Sequence, residues 1–131
     1  MTRAVQGLYF ALALVGAFFF ASKPPQAQEL DLDVVFRCST KGADAAKQCK
    51  ATREMIIGNC TVCHTFVPIV MQQFEPSGWD GLLARHVSGG RVTNLKPEQI
   101  KVIRDFLVAT FNTSNPPPEL PQELLDNWTS Y

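Results

Sequence analysis

The residues best suited to chemistry in this chain of 131 residues lie together, in the run Cys60-Thr61-Val62-Cys63-His64. Two thiols separated by two residues, with an imidazole directly after the second, match the C-x-x-C-H pattern of covalent haem attachment. The spacing follows from the chemistry. The two sulfurs add to the two vinyl groups of one macrocycle, and the imidazole that follows is thereby held beneath the iron as an axial ligand. Covalent attachment also lets a short chain keep a large cofactor with little protein around it, because the cofactor itself makes up much of the core. Two other readings of Cys60 and Cys63 exist. A structural zinc site needs four ligands, and Cys38 and Cys49 are the remaining cysteines. A thiol redox pair belongs next to the strand and helix of a thioredoxin-like domain. The first leaves His64 without a role and the second finds no such context, so haem c is favoured.

The elements that must position these residues read as helices. Over 43–58, Ala46, Cys49, Arg53, Ile56 and Ile57 recur at an imperfect three-four spacing, and Gly58 can end the helix. An apolar patch at Phe66, Val67, Ile69, Val70 and Met71, interrupted by Pro68, follows the cysteine segment. A second helix is predicted over 79–87, capped by Ser77 and stopped by Ser88-Gly89-Gly90. The third, from Pro97 to near Asn112, is the clearest: Ile100, Ile103, Leu107 and Thr110 or Phe111 form one face, broadened by Val102 and Phe106. Residues 28–42 read as a loosely docked lead-in. Residues 113–131 read as a Pro-rich tail, in which Pro116-Pro117-Pro118 lies extended. The expected fold is all-α, about three helices around one haem, with the domain proper at 43–112.

The N-terminal segment suggests export. Arg3 precedes an apolar run over 8–21, and Ser22, Lys23, Pro24 and Pro25 follow it, in the order of a secretory signal cleaved after Ala27. The apolar run falls short of the about 20 residues that a membrane-spanning helix needs. Retention of the segment as an anchor is the alternative, and the only expected route to a membrane. The whole chain has 12 basic and 12 acidic residues; removing 1–27 takes away Arg3 and Lys23 and no acid, leaving 10 basic against 12 acidic. That balance lacks the clustered basic excess of a nucleic-acid binder. In an oxidising periplasm Cys38 and Cys49 are expected to pair, two unpaired buried thiols being the alternative.

Together with the downstream residues, the motif resembles compact class I c-type cytochromes, the monohaem modules found as small carriers or as electron-transfer subunits of periplasmic dehydrogenases. Gly78-Trp79, the helix that follows, the loop over 88–95 and the helix from Pro97 fill the slots of those modules across about residues 43–112. The resemblance implies that Trp79 packs beside the haem and that the last and first helices cross. It also implies a ligand Met seven residues after the Trp and directly after an Arg. Here that slot holds His86. The sixth ligand is therefore His86, or Met55 or Met71, or none; His86 is the best placed. A second imidazole in place of a thioether implies a lower reduction potential. The implied function is one-electron transfer by a carrier or haem subunit, without enzymatic activity of its own, to a redox partner protein. Trp128 and Tyr131, behind the Pro-rich spacer, are either loose tail residues or a docking arm for that partner. The alternative function is haem-based binding or sensing of a small ligand, if the sixth ligand is labile or absent.

Overall fold

A computed structural model describes residues 29–39 and 42–128, and these residues are helical with no strand. The expected signal segment, 1–27, and Tyr131 lie outside the described residues. Among those described, no helix is long and apolar enough to cross a membrane. The helices are α1 (Leu32–Val35), α2 (Ala43–Cys60), α3 (Val67–Met71), α4 (Pro76–Ser88), α5 (Pro97–Thr110) and α6 (Gln122–Trp128). The all-α expectation holds, with α2, α4 and α5 as the three predicted helices and three short ones added. Helix α5 is the hub and packs against both α2 and α4, while α6 packs against α3.

Local chemistry explains most of the boundaries. Asp31 caps α1 by accepting from the backbone N–H groups of Asp33 and Val34. Helices α4 and α5 each open on a proline, Pro76 and Pro97, whose missing N–H falls in the turn that has no partner for it. The Gln99 side chain closes the start of α5 by accepting from the Lys96 N–H at 2.9 Å. Two expected boundaries shift. Helix α4 begins at Pro76 with Glu75 at the cap, so Ser77 lies in the first turn and does not cap it. Helix α2 runs through Gly58 to Cys60, because a glycine weakens a helix by only about 1 kcal/mol and the last carbonyls here find side-chain partners. Those partners are the Asn59 amide, which donates to the Met55 carbonyl, and the Thr61 hydroxyl, which donates to that of Ile57.

The core departs most from expectation at the lead-in. Val35, Phe36 and Cys38 are fully buried, and the ring of Phe36 lies 6.4 Å from those of Phe66 and Phe106 and 5.9 Å from that of Phe111. A segment that reads as loosely docked thus supplies the centre of an aromatic cluster. Two devices hold it there. Arg37 takes a left-handed backbone conformation, φ 57°, which turns the chain after α1. The sulfurs of Cys38 and Cys49 then stand at bonding distance, tying the lead-in to α2 as expected. Asp33 adds charge contacts from Lys50 and Arg53, and the Lys50 hydrogen bond holds its carboxyl below the usual carboxylate range.

The tail also folds back. Arg37 donates to the Pro116 carbonyl, Leu120 packs on the core and Trp128 is half-buried. On α5, Ile103, Leu107, Thr110 and Phe111 are buried as predicted, whereas Val102 faces solvent at 40% exposure and does not broaden the face.

Two glycines separate propensity from packing. A Cβ on Gly58 meets nothing within 4 Å, so Gly58→Ala is expected to stabilise the protein by up to about 1 kcal/mol. A Cβ on Gly78 would stand 2.9 Å from the Phe74 Cβ, which is rooted to the backbone and cannot swing away. Overpacking of about 1–3 kcal/mol outweighs the propensity gain there, and Gly78→Ala is expected to destabilise. Urea midpoints of the two variants, moving in opposite directions, check both. Replacing Cys38 and Cys49 together by Ser is expected to lower stability by about 3 kcal/mol, from the loop-closure term for their separation of 11 residues. An unchanged urea midpoint would count against that contribution.

Candidate functional site

One cavity of about 500 Å³ collects the residues that the sequence singles out: Cys60, Cys63, His64, Trp79 and His86 all line it. Helix α2 delivers the first of them. Cys60 is its last residue, and the Thr61 N–H and hydroxyl both close on the Ile57 carbonyl, so the chain leaves the helix within one residue of the first thiol. The turn over 61–63 brings Cys63 and then His64 to the same cavity. Cys63 is exposed, whereas Cys60 is half-buried, and burial pushes its thiol above the ordinary range.

Helix α4 forms another wall. Trp79, Leu82, Leu83 and His86 repeat at helical spacing, and all four line the cavity. The helix is fixed against α5 by a buried hydrogen bond of 2.7 Å from the Trp79 indole N–H to the Phe111 carbonyl. Arg104 of α5 adds a two-pronged contact to the Asp80 carboxylate at 2.7 and 3.1 Å, which keeps that carboxyl below its ordinary range. Phe74 meets the Trp79 ring edge-on at 5.2 Å, an approach that Gly78 permits. The sequence pair Gly78-Trp79 therefore has a packing reason: the glycine admits Phe74, and Phe74 seats the indole. Trp79 is both core and cavity wall.

Both imidazoles are held in the same way. His64 Nδ1 lies 2.7 Å from the Thr65 carbonyl, and His86 Nδ1 lies 2.8 Å from the Leu82 carbonyl one turn earlier in α4. A carbonyl oxygen only accepts, so in each neutral ring Nδ1 carries the proton and Nε2 keeps its lone pair. That is the tautomer of a metal-ligating histidine whose second nitrogen is pinned by the backbone. Neither Met55 nor Met71 lines the cavity; both pack on the hydrophobic core.

The zinc alternative loses its ligands, because Cys38 and Cys49 are engaged with each other. Among the described residues no group of three or more His, Cys, Asp or Glu side chains is placed to hold a metal ion directly. The cavity also takes in Asn59, Gln72 and Arg91, which sequence reasoning did not single out. Asn59 lies three residues after Ile56, on the stripe of α2 that also brings Cys60 to the cavity, so helix geometry could have suggested it. Gln72 and Arg91 arrive from loops and carried no periodic signal. Comparison with protein-family models, curated proteins and solved structures returns no match.

The two thiols are expected to differ in reactivity. In protein prepared without cofactor, alkylation at neutral pH should modify Cys63 well before Cys60. The gap should narrow as pH rises and the raised Cys60 thiol ionises. Peptide mapping of alkylated sites against time measures it, and equal rates at neutral pH would contradict the burial argument.

Proposed function

We propose that this chain is a monohaem c-type cytochrome of the compact class I kind, exported to the periplasm, that transfers single electrons with His64 and His86 as the axial ligands. The observation that carries the reading is one cavity bordered by Cys60, Cys63 and two imidazoles whose Nδ1 atoms are both bound to backbone carbonyls. The lining supports an apolar occupant: Trp79, Leu82, Leu83, Ile103 and Leu107 border the cavity, and the half-buried Leu82 and Leu83 keep apolar surface there for an occupant to cover.

Each residue then has a defined task. Cys60 and Cys63 would provide the sulfurs of the two thioether links, and His64 and His86, with Nδ1 bound to the backbone, would offer Nε2 to the iron. Trp79, Leu82, Leu83 and Leu107 give the cavity an apolar wall. When bound, the haem would supply a one-electron couple. The chain's own contribution is to hold both imidazoles still: His86 by the Leu82 carbonyl and by the anchoring of α4 on α5, His64 by the Thr65 carbonyl. Rigid ligands keep the rearrangement between oxidation states small. Two imidazoles also place the potential below that of Met/His relatives. No catalytic group is assigned, and electrons pass to and from a redox partner protein. The haem-based sensor is the competing function, and the test separates them.

The protein as produced should hold one haem per chain that acidified organic solvent does not extract. Its ferric spectrum should be low-spin, without the near-infrared sulfur-to-iron band. His86→Ala should turn high-spin and bind carbon monoxide when reduced, while the unmutated reduced protein stays inert to it. A low-spin spectrum unchanged by His86→Ala removes His86 from the iron, and rapid, complete carbon monoxide binding by the unmutated protein favours the sensor.

A further inference from the structure

The cavity is almost without charge, and the exception lies at its mouth. Arg91 lines it yet is exposed to solvent. Among the described residues no aspartate or glutamate lines the cavity with it, and Arg91 is the one permanently charged side chain there. Arg53 and Arg104 are both engaged with carboxylates, whereas Arg91 makes no side-chain hydrogen bond or ion pair among the described residues. An arginine fork presents several N–H donors in one plane, a geometry that suits a carboxylate.

The backbone explains why this arginine faces the site. Helix α4 ends in a six-to-one and five-to-two pair of hydrogen bonds: the Arg91 N–H donates to the His86 carbonyl at 2.9 Å, and the Gly90 N–H to that of Val87 at 3.1 Å. Gly90 has φ +67°, the left-handed conformation that this cap requires. The cap reverses the chain and hydrogen-bonds residue 91 to residue 86. One helix end thus sets both His86 and Arg91 on the same cavity.

Building on the haem reading, we propose that Arg91 binds a propionate carboxylate of the haem at the cavity mouth, and that its fixed charge raises the potential set by two imidazoles. A haem carries two such carboxylates, and the cavity offers one fixed cation to meet them. A cation beside the site disfavours the extra positive charge of ferric iron, so it favours reduction. The effect is one of charge, and it should follow the charge placed at residue 91.

The test measures reduction potentials of the purified holoprotein and of Arg91→Lys, Arg91→Gln and Arg91→Glu, with Lys47→Gln as control. Lys47 is exposed on α2 and does not line the cavity. Arg91→Lys should keep most of the potential. Arg91→Gln should disfavour reduction by a several-fold change in the equilibrium constant, and Arg91→Glu by more, with low-spin spectra throughout. Lys47→Gln should change little. Potentials that ignore the charge at residue 91, or a Lys47→Gln shift as large as that of Arg91→Gln, overturn the role of Arg91 and leave the haem reading standing. Absence of covalent haem from the unmutated protein overturns both.

Discussion

The buried indole of Trp79 is the constraint on which the site depends. Its N–H reaches the Phe111 carbonyl at the end of α5, a group that would otherwise be stranded in the core once the helix has stopped. Leaving such a carbonyl unpaired costs about 1–3 kcal/mol, so the contact fixes the rotation of α4 as well as its position. Rotation decides which stripe of α4 faces inward. With Trp79 seated, Leu82, Leu83 and His86 follow at helical spacing onto the cavity. The Asp80–Arg104 pair, on the next residue of α4, is exposed and contributes little by itself, but it adds a second tie between α4 and α5.

Around this joint the protein divides its apolar residues between two tasks. One set, centred on Phe36, Phe111, Val35 and Val70, closes a small core. The other, which includes Leu82 and Leu83, is only half-buried because it faces the cavity. A chain with so few core residues needs help to stay folded, and two kinds are present. The link between Cys38 and Cys49 ties the lead-in to α2 and constrains the unfolded chain. On the proposed reading, the cofactor completes the second set.

Particular residues explain how far sequence reasoning reaches. The thiols and imidazole of Cys60–His64 are contiguous, and the repeat along α5 is local, so both could be read directly. His86 needed a comparison of slots, because a histidine on a helix face carries no signal of its own. Phe36 could not be found that way. It lies beside a four-residue helix too short to show a period, and its neighbours Phe66, Phe106 and Phe111 come from distant parts of the chain. Gly58 misled for the opposite reason: a local helix-ending preference of about 1 kcal/mol yields to capping contacts by Asn59 and Thr61. Arg91 depends on a reversal at Gly90, and only the folded backbone reveals where a loop residue lands.

The end of α4 brings two opposed fields to one place. His86 lies in the last turn, where aligned peptide dipoles leave a partial negative charge of about half an elementary unit. That field favours the more positive oxidation state of a metal bound at His86 and acts in the same direction as a second imidazole. Arg91, held to the same helix end through the His86 carbonyl, contributes a full positive charge of opposite effect. The dipole field falls off within one turn and is screened where carbonyls meet water, while the guanidinium loses little charge at any accessible pH. On the proposed reading, the helix terminus would lower the potential through its ligand and its dipole, and the loop it caps would supply the correction. Both would depend on the one cap geometry at Gly90.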